Sequence, residues 1–351
     1  MSGTRRTGVW ADIDEVRLTE YHLGMRVSPT VAAPLAALLV VLAGCTSGAD
    51  PAPAGDTRTV DSAAGPVEVP ADPERVAVLW RPTLAAATRL GADVVGSLGD
   101  PSADDGGLAP FLPDGAEAPP VVSGSPAEAD VDLERLAEAD PDLVIGVSTD
   151  LGAQAETLPE LEAIAPTVLL EWTGTESWRG HLAEVADVLG VPDEADAAEQ
   201  EYRLAVDQAR TRIEDEAGDP SAIEVSLLRL QSPQEIRIET PASFPGQIAD
   251  DLGLARPEGH DEPDADRDFI SESYENLERA DADVLFVLSG SGYEDAPTSY
   301  GSGVWAELGA VRDERVYAAD YDHWGASNHY AALRVVEEMA DGVTGEADPA
   351  L

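Results

Sequence analysis

Few residues in this chain of 351 have side chains suited to catalysis, and their spacing argues against it. Cys45 is the only cysteine, so no internal disulfide forms, and its thiol is either incidental or modified. All 21 basic residues are arginine, which removes Schiff-base chemistry and lysine general bases. The five histidines, at 22, 181, 260, 323 and 329, are scattered, and His323 and His329 in "DHWGASNHY" lack the i, i+4 spacing of a helical metal pair. There is no G-x-S-x-G elbow, H-E-x-x-H or phosphate loop. The acidic "EGHDEPDADRD" lacks the required glycine and distal glutamate spacing of a calcium loop. Recognition is the chemistry that remains. Arginines and aromatic rings recur where predicted strands end: Trp80 with Arg81, Ser148 with Thr149, Trp172, Arg229 with Gln231, Ser289 with Tyr293, and the run Tyr321 to Trp324. Guanidinium forks donate to oxygens while aromatic faces cover apolar surface, a combination suited to a large anionic or oxygen-rich chelate. No residue is expected to ligate metal directly.

The elements that must position these groups follow an alternating rhythm. "RVAVLW", "DVVGSLG", Leu143 to Val147 and "TVLLEW" read as strands, with "TLAAATRLG", "VDLERLAEAD" and "LPELEAIA" as helices between them. Such alternation implies βαβ crossovers and a parallel sheet covered by helices. The rhythm breaks at Ser177 to Leu189 and Glu194 to Ala217, which are helical with no strand between. It resumes with "AIEVSLLRLQ" and "EIRIET", which "SPQ" joins as a hairpin. "FPGQIADDLGL" and "ISESYENLERA" then read as helices, Val284 to Leu288 as a strand, "VWAELGAVRDERVYAAD" as a further helix and strand, and "NHYAALRVVEEMADGV" as the last helix. The fold class is α/β: two Rossmann-like lobes joined by one long helix, with the ligand cleft between them. The expected segments are a signal at 1–44, a flexible tether at 45–64, an N-terminal lobe at 65–175, a linking helical segment at 176–217, a C-terminal lobe at 218–342 and a tail at 343–351. In parallel sheets ligands gather at the carboxyl ends of strands, where the candidates above lie.

The net charge is −48, from 69 acidic and 21 basic residues. It repels phosphate backbones, so no nucleic-acid partner is expected. Dense acidity of this kind suits a halophilic surface, solvated where salt screening is strong. Residues 1–44 carry four arginines and four acidic residues, so the acidity belongs to the body.

"MRVSPTVAAPLAALLVVLAGC" has a short positive start, an apolar stretch from Val31 to Leu42 and small residues before the cysteine. It resembles the bacterial lipoprotein signal, whose leucine, small, small, cysteine pattern matches Leu42, Ala43, Gly44 and Cys45. That resemblance implies lipidation of the Cys45 sulfur and a protein exported and lipid-anchored to the outer face of the cytoplasmic membrane, or periplasmic. The apolar run is shorter than the ~20 residues a spanning helix needs. Met25 is the expected start, because Arg5 and Arg6 lie far upstream behind the acidic "DIDEVRLTE".

"LERLAEADPDLVIGV", "LGLARP", "ISESYENLERADADVLFV" and "VWAELGAVRDERVYAADYDHW", in that order, resemble the substrate-binding lipoproteins of ABC importers for ferric siderophores, with cobalamin and haem binders as relatives. The resemblance covers about residues 65 to 342. It implies a monomer that captures an Fe(III)-siderophore, carries no covalent cofactor and delivers its cargo to a permease and its ATPase, with little hinge motion. Cobalamin or haem is the alternative cargo, and a non-transport adhesion module the alternative role. The expected ligand contacts are Trp80, Arg81, Ser148, Trp172, Arg229, Gln231, Tyr293 and Trp324; in the family a tryptophan at the last position borders the cleft. Glu134 and Glu272 match glutamates that in the cobalamin-binding relatives dock to permease arginines.

Overall fold

The computed structural model describes residues 56–125, 130–149, 153–260, 268–290, 292–297 and 299–350. The signal segment, Cys45 and the first part of the tether lie outside them, as does most of "EGHDEPDADRD". An antiparallel hairpin opens the body: β1 (Thr57–Val60) and β2 (Val67–Pro70). The tether therefore ends earlier than expected. Val60 is buried, and Ser62 Oγ accepts the Leu169 N–H at 3.0 Å, which fastens this polar stretch to the first sheet.

The first lobe runs β3 (Val76–Val78), α1 (Arg81–Arg89), β4 (Val94–Ser97), α2 (Leu133–Glu138), β5 (Leu143–Ser148), α3 (Leu158–Glu162) and β6 (Thr167–Glu171). Its four strands are parallel in the order β4-β3-β5-β6. Helix starts follow local chemistry. Pro82 occupies the first turn of α1, where its missing N–H costs nothing, and the Asp132 carboxylate accepts the N–H groups of Glu134 and Arg135 at the start of α2.

Two helices follow without an intervening strand: α4 (Trp178–Leu189), stopped by Gly190 in the left-handed region at φ 78°, and α5 (Pro192–Glu216). The 25 residues of α5 span about 37 Å at 1.5 Å per residue. Its inward face, Ala198, Tyr202, Val206, Ala209 and Ile213, is spaced three or four apart as an amphipathic helix requires.

The second lobe comprises β7 (Val225–Ser232), β8 (Glu235–Glu239), α6 (Phe244–Asp251), β9 (Phe269–Ser273), β10 (Val284–Ser289), α7 (Gly309–Arg312), β11 (Val316–Asp320), α8 (Tyr321–Trp324) and α9 (His329–Thr344). Its sheet has the order β11-β10-β7-β8-β9, parallel from β11 to β7 and antiparallel from β7 to β9. The hairpin through Pro233 and Gln234 forms as expected. "ISES" does not lie in a helix: it pairs with β8, with Arg237 opposite Ser271, and only Tyr274–Ala280 coils as a 3-10 helix. The open edge of β8 needs a partner for its backbone, and that pairing overrides the helical propensity of the stretch.

One buried apolar cluster joins the lobes. It takes Val76, Val78 and Leu84 from the first, Tyr202 and Ile213 from α5, and Val225, Phe286 and Val335 from the second. Polar fastenings lie around it. Arg179 bonds to Asp251 and to the Tyr202 hydroxyl, and Arg89 and His329 share the Glu201 carboxylate at 2.8 and 3.1 Å. Shared packing of this kind leaves no hinge gap for a large rotation. Helix α9 approaches its sheet closely at Gly342, where a Cβ would lie 2.6 Å from the Phe286 ring. Gly342→Ala is expected to cost about 2 kcal/mol by overpacking, despite alanine's better helix propensity. Urea unfolding checks this, and an unchanged or raised midpoint would show that the helix can shift away.

Candidate functional site

Trp80 lies two residues past the end of β3 and Trp172 directly follows β6, so two parallel strands deliver both rings to the same end of the first sheet. Their centroids are 5.8 Å apart, tilted by 59°. Trp172 rests edge-on against His181 of α4 at 5.1 Å, and His181 Nε2 lies 2.7 Å from Thr83 Oγ1 of α1. Burial pushes the His181 imidazole down to about 4, so it is neutral at pH 7 and serves as a support behind the tryptophan. Trp80 Nε1 is buried with no partner, which leaves a donor at the wall.

These rings line a cavity of about 220 Å³ with Arg81, Phe111 and Ser123 from the first lobe and Gly325, Ala326 and Ser327 from the second. The cleft thus lies between the lobes. Ser327 holds a left-handed backbone at φ 53°, sparsely populated for a residue with a Cβ. Its neighbour Asn328 caps α9 through Ala331 N–H and donates Nδ2 to the Pro110 carbonyl at 3.1 Å, so the strained corner is pinned to the opposite lobe.

A second cluster adjoins the cavity. Thr175, which lines it, donates to Asp268 at 2.8 Å, and the Tyr321 ring lies against Gly325. Arg229, near the end of β7, donates Nη1 to the Tyr321 hydroxyl at 2.8 Å. Its guanidinium stands 4.7 Å from the Tyr321 ring, 5.6 Å from Tyr293 and 5.2 Å from Phe269. Beneath it, Glu239 Oε1 is 3.0 Å from Arg229 Nε in a contact without hydrogen-bond alignment, with side chains 7 % and 1 % exposed. Burial pushes the Glu239 carboxyl up, to about 7, against the pull of Arg229. Burial also works against charge on Arg229, but Glu239 and the two phenols outweigh it and hold the guanidinium protonated.

The expected contacts divide accordingly. Trp80, Arg81 and Trp172 meet at the cavity, and Arg229 and Tyr293 meet in the second cluster. Ser148 sits at the end of β5, its carbonyl accepting the Trp172 N–H at 2.9 Å, and does not line the cavity. Gln231 is half-buried on β7 with Oε1 unpartnered. Trp324 requires a correction: it is fully buried, stacks on Phe286 at 5.1 Å and donates Nε1 to Glu338 at 2.6 Å, so it presents no surface to the cleft. The single turn of α8 carries it into the core and leaves Tyr321, three residues earlier, beside the cavity. Phe111, Ser123, Thr175 and Ser327 come from loops or short 3-10 turns, and Glu239 from a strand end; none was expected. Glu134 is exposed on the first turn of α2, whereas Glu272 on β9 pairs with Arg279 and accepts Asn276 Nδ2 at 2.9 Å.

Comparison with known proteins bears on this two-lobed arrangement. Residues 105–322 match the family described as periplasmic binding protein. The chain is similar to the probable siderophore-binding lipoprotein YfiY of Bacillus subtilis, 30 % identical over 285 residues that make up 76 % of this chain and 82 % of that protein. It is also similar to the iron(3+)-hydroxamate-binding protein YxeB of the same organism, 24 % identical over 90 % of this chain and 96 % of that one. Among solved structures, a FhuD fold-family component of a Fep/Fec-like ferrichrome ABC transporter from Bacillus subtilis matches with a TM-score of 0.67 at 22 % identity, over 81 % of this chain and 99 % of that chain. SirA of Staphylococcus aureus complexed with staphyloferrin B matches at 0.64 and 20 % identity, over 82 % and 98 %. At these identities the structures speak to fold alone. Two α/β lobes sharing one core, a cleft at their strand ends and a family match across most of the folded body make this chain a member of the periplasmic binding protein family.

Proposed function

We propose that the protein is an extracytoplasmic solute-binding lipoprotein that captures an Fe(III)-siderophore in the cleft and delivers it to an ABC permease and its ATPase, tethered through lipid on Cys45. The observation that carries this reading is the juxtaposition of Trp80, Trp172 and Arg81 in one cavity with the aromatic cluster around Arg229 beside it. Aromatic walls cover the organic body of a chelate while guanidinium and indole N–H groups meet its oxygens. The cavity of about 220 Å³ is small beside the ~300–1,000 Å³ of drug-sized sites, so such a ligand would extend from it across the second cluster. Binding without turnover, and a single copy of the chain as the working unit, belong to the same reading.

Tryptophan fluorescence titrated with ferric hydroxamates, cobalamin and haem tests it. Trp178, Trp305 and Trp324 are buried and Trp10 precedes Cys45, so in the protein beginning at Cys45 quenching should arise from Trp80 and Trp172. Saturable quenching by a ferric siderophore at low micromolar concentration or tighter is expected, and Trp80→Phe/Trp172→Phe should remove most of its amplitude. Saturation by cobalamin or haem with none by iron chelates would transfer the reading to those cargoes; flat curves throughout would favour an adhesion module.

A further inference from the structure

The charge on the cleft walls bears on which chelates can enter. Three guanidiniums stand at or beside the cleft. Arg81 lines the cavity and makes no ion pair with another described residue. Arg237 packs on Phe269 at 3.9 Å and is paired with Glu235 at 3.1 Å. Arg229 is cancelled from beneath by Glu239 at 3.0 Å. Asp268, bonded to Thr175 of the cavity wall, adds a carboxylate with no guanidinium of its own among the described contacts. The second cluster therefore carries no excess positive charge, although its arginines give it the outward look of an anion site.

Glu239 is the unusual member of this set. A carboxylate 1 % exposed under an arginine, with the contacting oxygen not in hydrogen-bond alignment, is expensive to bury, and such pairs add little to stability over an apolar pair of the same volume. What it does supply, once ionised as at pH 8, is a negative charge held behind the ring-lined wall, where water screens it poorly.

We propose that Glu239 is a charge filter for the cleft: by neutralising Arg229 from behind, it biases the site toward iron chelates of net charge near zero and against polyanionic ones. This rests on the siderophore-binding reading above. Three hydroxamates, each a monoanion, neutralise Fe(III), whereas three catecholates, each a dianion, leave a trianion. A trianion would meet Arg81, which acts on the Asp100 carboxylate without pairing to it directly, as its least compensated partner and would face Asp268 and Glu239 as well. Buried like-charge juxtaposition is the usual means of rejecting a wrong partner.

The test compares ferrichrome, a neutral trihydroxamate, with a ferric tricatecholate by tryptophan quenching at fixed ionic strength and pH 8, in the wild-type protein and in Glu239→Gln and Glu235→Gln. The wild-type protein should bind ferrichrome at least about tenfold more tightly, and Glu239→Gln should shrink that ratio by about tenfold, the size expected for one desolvated charge. Glu235→Gln, which removes an equal charge at a more exposed pair, should move the ratio much less. Equal or tighter wild-type binding of the tricatecholate overturns the filter, and it does so without any variant having to fold. An unchanged ratio in a Glu239→Gln protein with a native circular dichroism spectrum overturns it too, as does an equal shift from Glu235→Gln, which would assign the effect to overall charge. Quenching by neither chelate would instead defeat the siderophore reading on which the filter stands.

Discussion

Arg229→Met is expected to cost about 3 kcal/mol of stability at pH 8 and little at pH 5. The variant removes the one cation among the described residues that is paired with the Glu239 carboxylate, which is buried to 1 % exposure; Arg256 reaches only the main-chain carbonyl of that residue, at 3.2 Å. The other groups that act on Glu239 are Arg237 from β8, Asp268 just before β9, the Tyr321 phenol of α8 and the Ser243 hydroxyl ahead of α6; none replaces Arg229 at 3.0 Å. In the wild-type protein burial lifts this carboxyl from an ordinary 4.5 to about 7. A carboxyl raised in the folded state binds its proton more tightly there than in the unfolded chain. Its ionisation therefore costs stability at and above pH 7, and the cost disappears as pH falls toward 4.5. Losing Arg229 removes the main interaction that favours the ionised form, so the folded value rises further and the penalty at pH 8 grows. At pH 5 Glu239 is protonated with or without Arg229, and methionine fills most of the space left by the arginine stem. Urea unfolding at the two pH values measures the difference directly. Equal destabilisation at both would mean that Glu239 is not ionised in the native protein at pH 8.

The parts of the site legible in the sequence were those carried by a strand end. Trp80 follows a run of fully buried residues, and Trp172 comes just past a strand that is buried except for its last residue; the carboxyl end of a parallel strand points its next residues to the ligand side of the sheet. Side-chain direction within the second sheet was not legible. Six of the eight residues of "VSLLRLQS" are buried, so alternation says nothing about which face Arg229 uses. Glu239 looks like an ordinary solvated carboxylate at the end of "EIRIE", and its burial depends on partners from other strands, Phe269 of β9 opposite it and Arg229 of β7 against its carboxylate. Trp324 misled for a related reason. Tyr321 and Trp324 bracket one helical turn, both aromatic, and which of the two meets the cleft depends on how that turn docks on α9. Phe111 and Thr175 lie in 3-10 turns of three residues and Ser123 in a loop, all too short for periodicity to mark an inward face. The two-lobe architecture was readable because its signal is long-range and redundant: alternation, interruption by two helices, and alternation again.

Reversing both proposed docking charges, Glu134→Arg with Glu272→Arg, should reduce iron uptake by more than tenfold while leaving chelate affinity within about twofold. Handing a ligand over requires the binding protein to seat on its permease, and placing like charges opposite each other at an interface costs several kcal/mol. The structure makes the two positions unequal. Glu134 stands exposed at the start of α2, where the dipole of so short a helix adds little and no described cation pairs with the carboxylate. Glu272 is already engaged by Arg279 and Asn276, so it must exchange one guanidinium for another on docking, and the exchange cancels much of the gain. Glu134→Arg alone should therefore impair uptake more than Glu272→Arg alone. Arg279→Ala, which frees Glu272, should leave uptake intact or raise it. Radioiron uptake by cells lacking the native copy, read alongside fluorescence affinities of the purified variants, separates the cases. If affinity falls in step with uptake, the two glutamates support the cleft and do not dock. If the double reversal transports normally, the permease meets a different face.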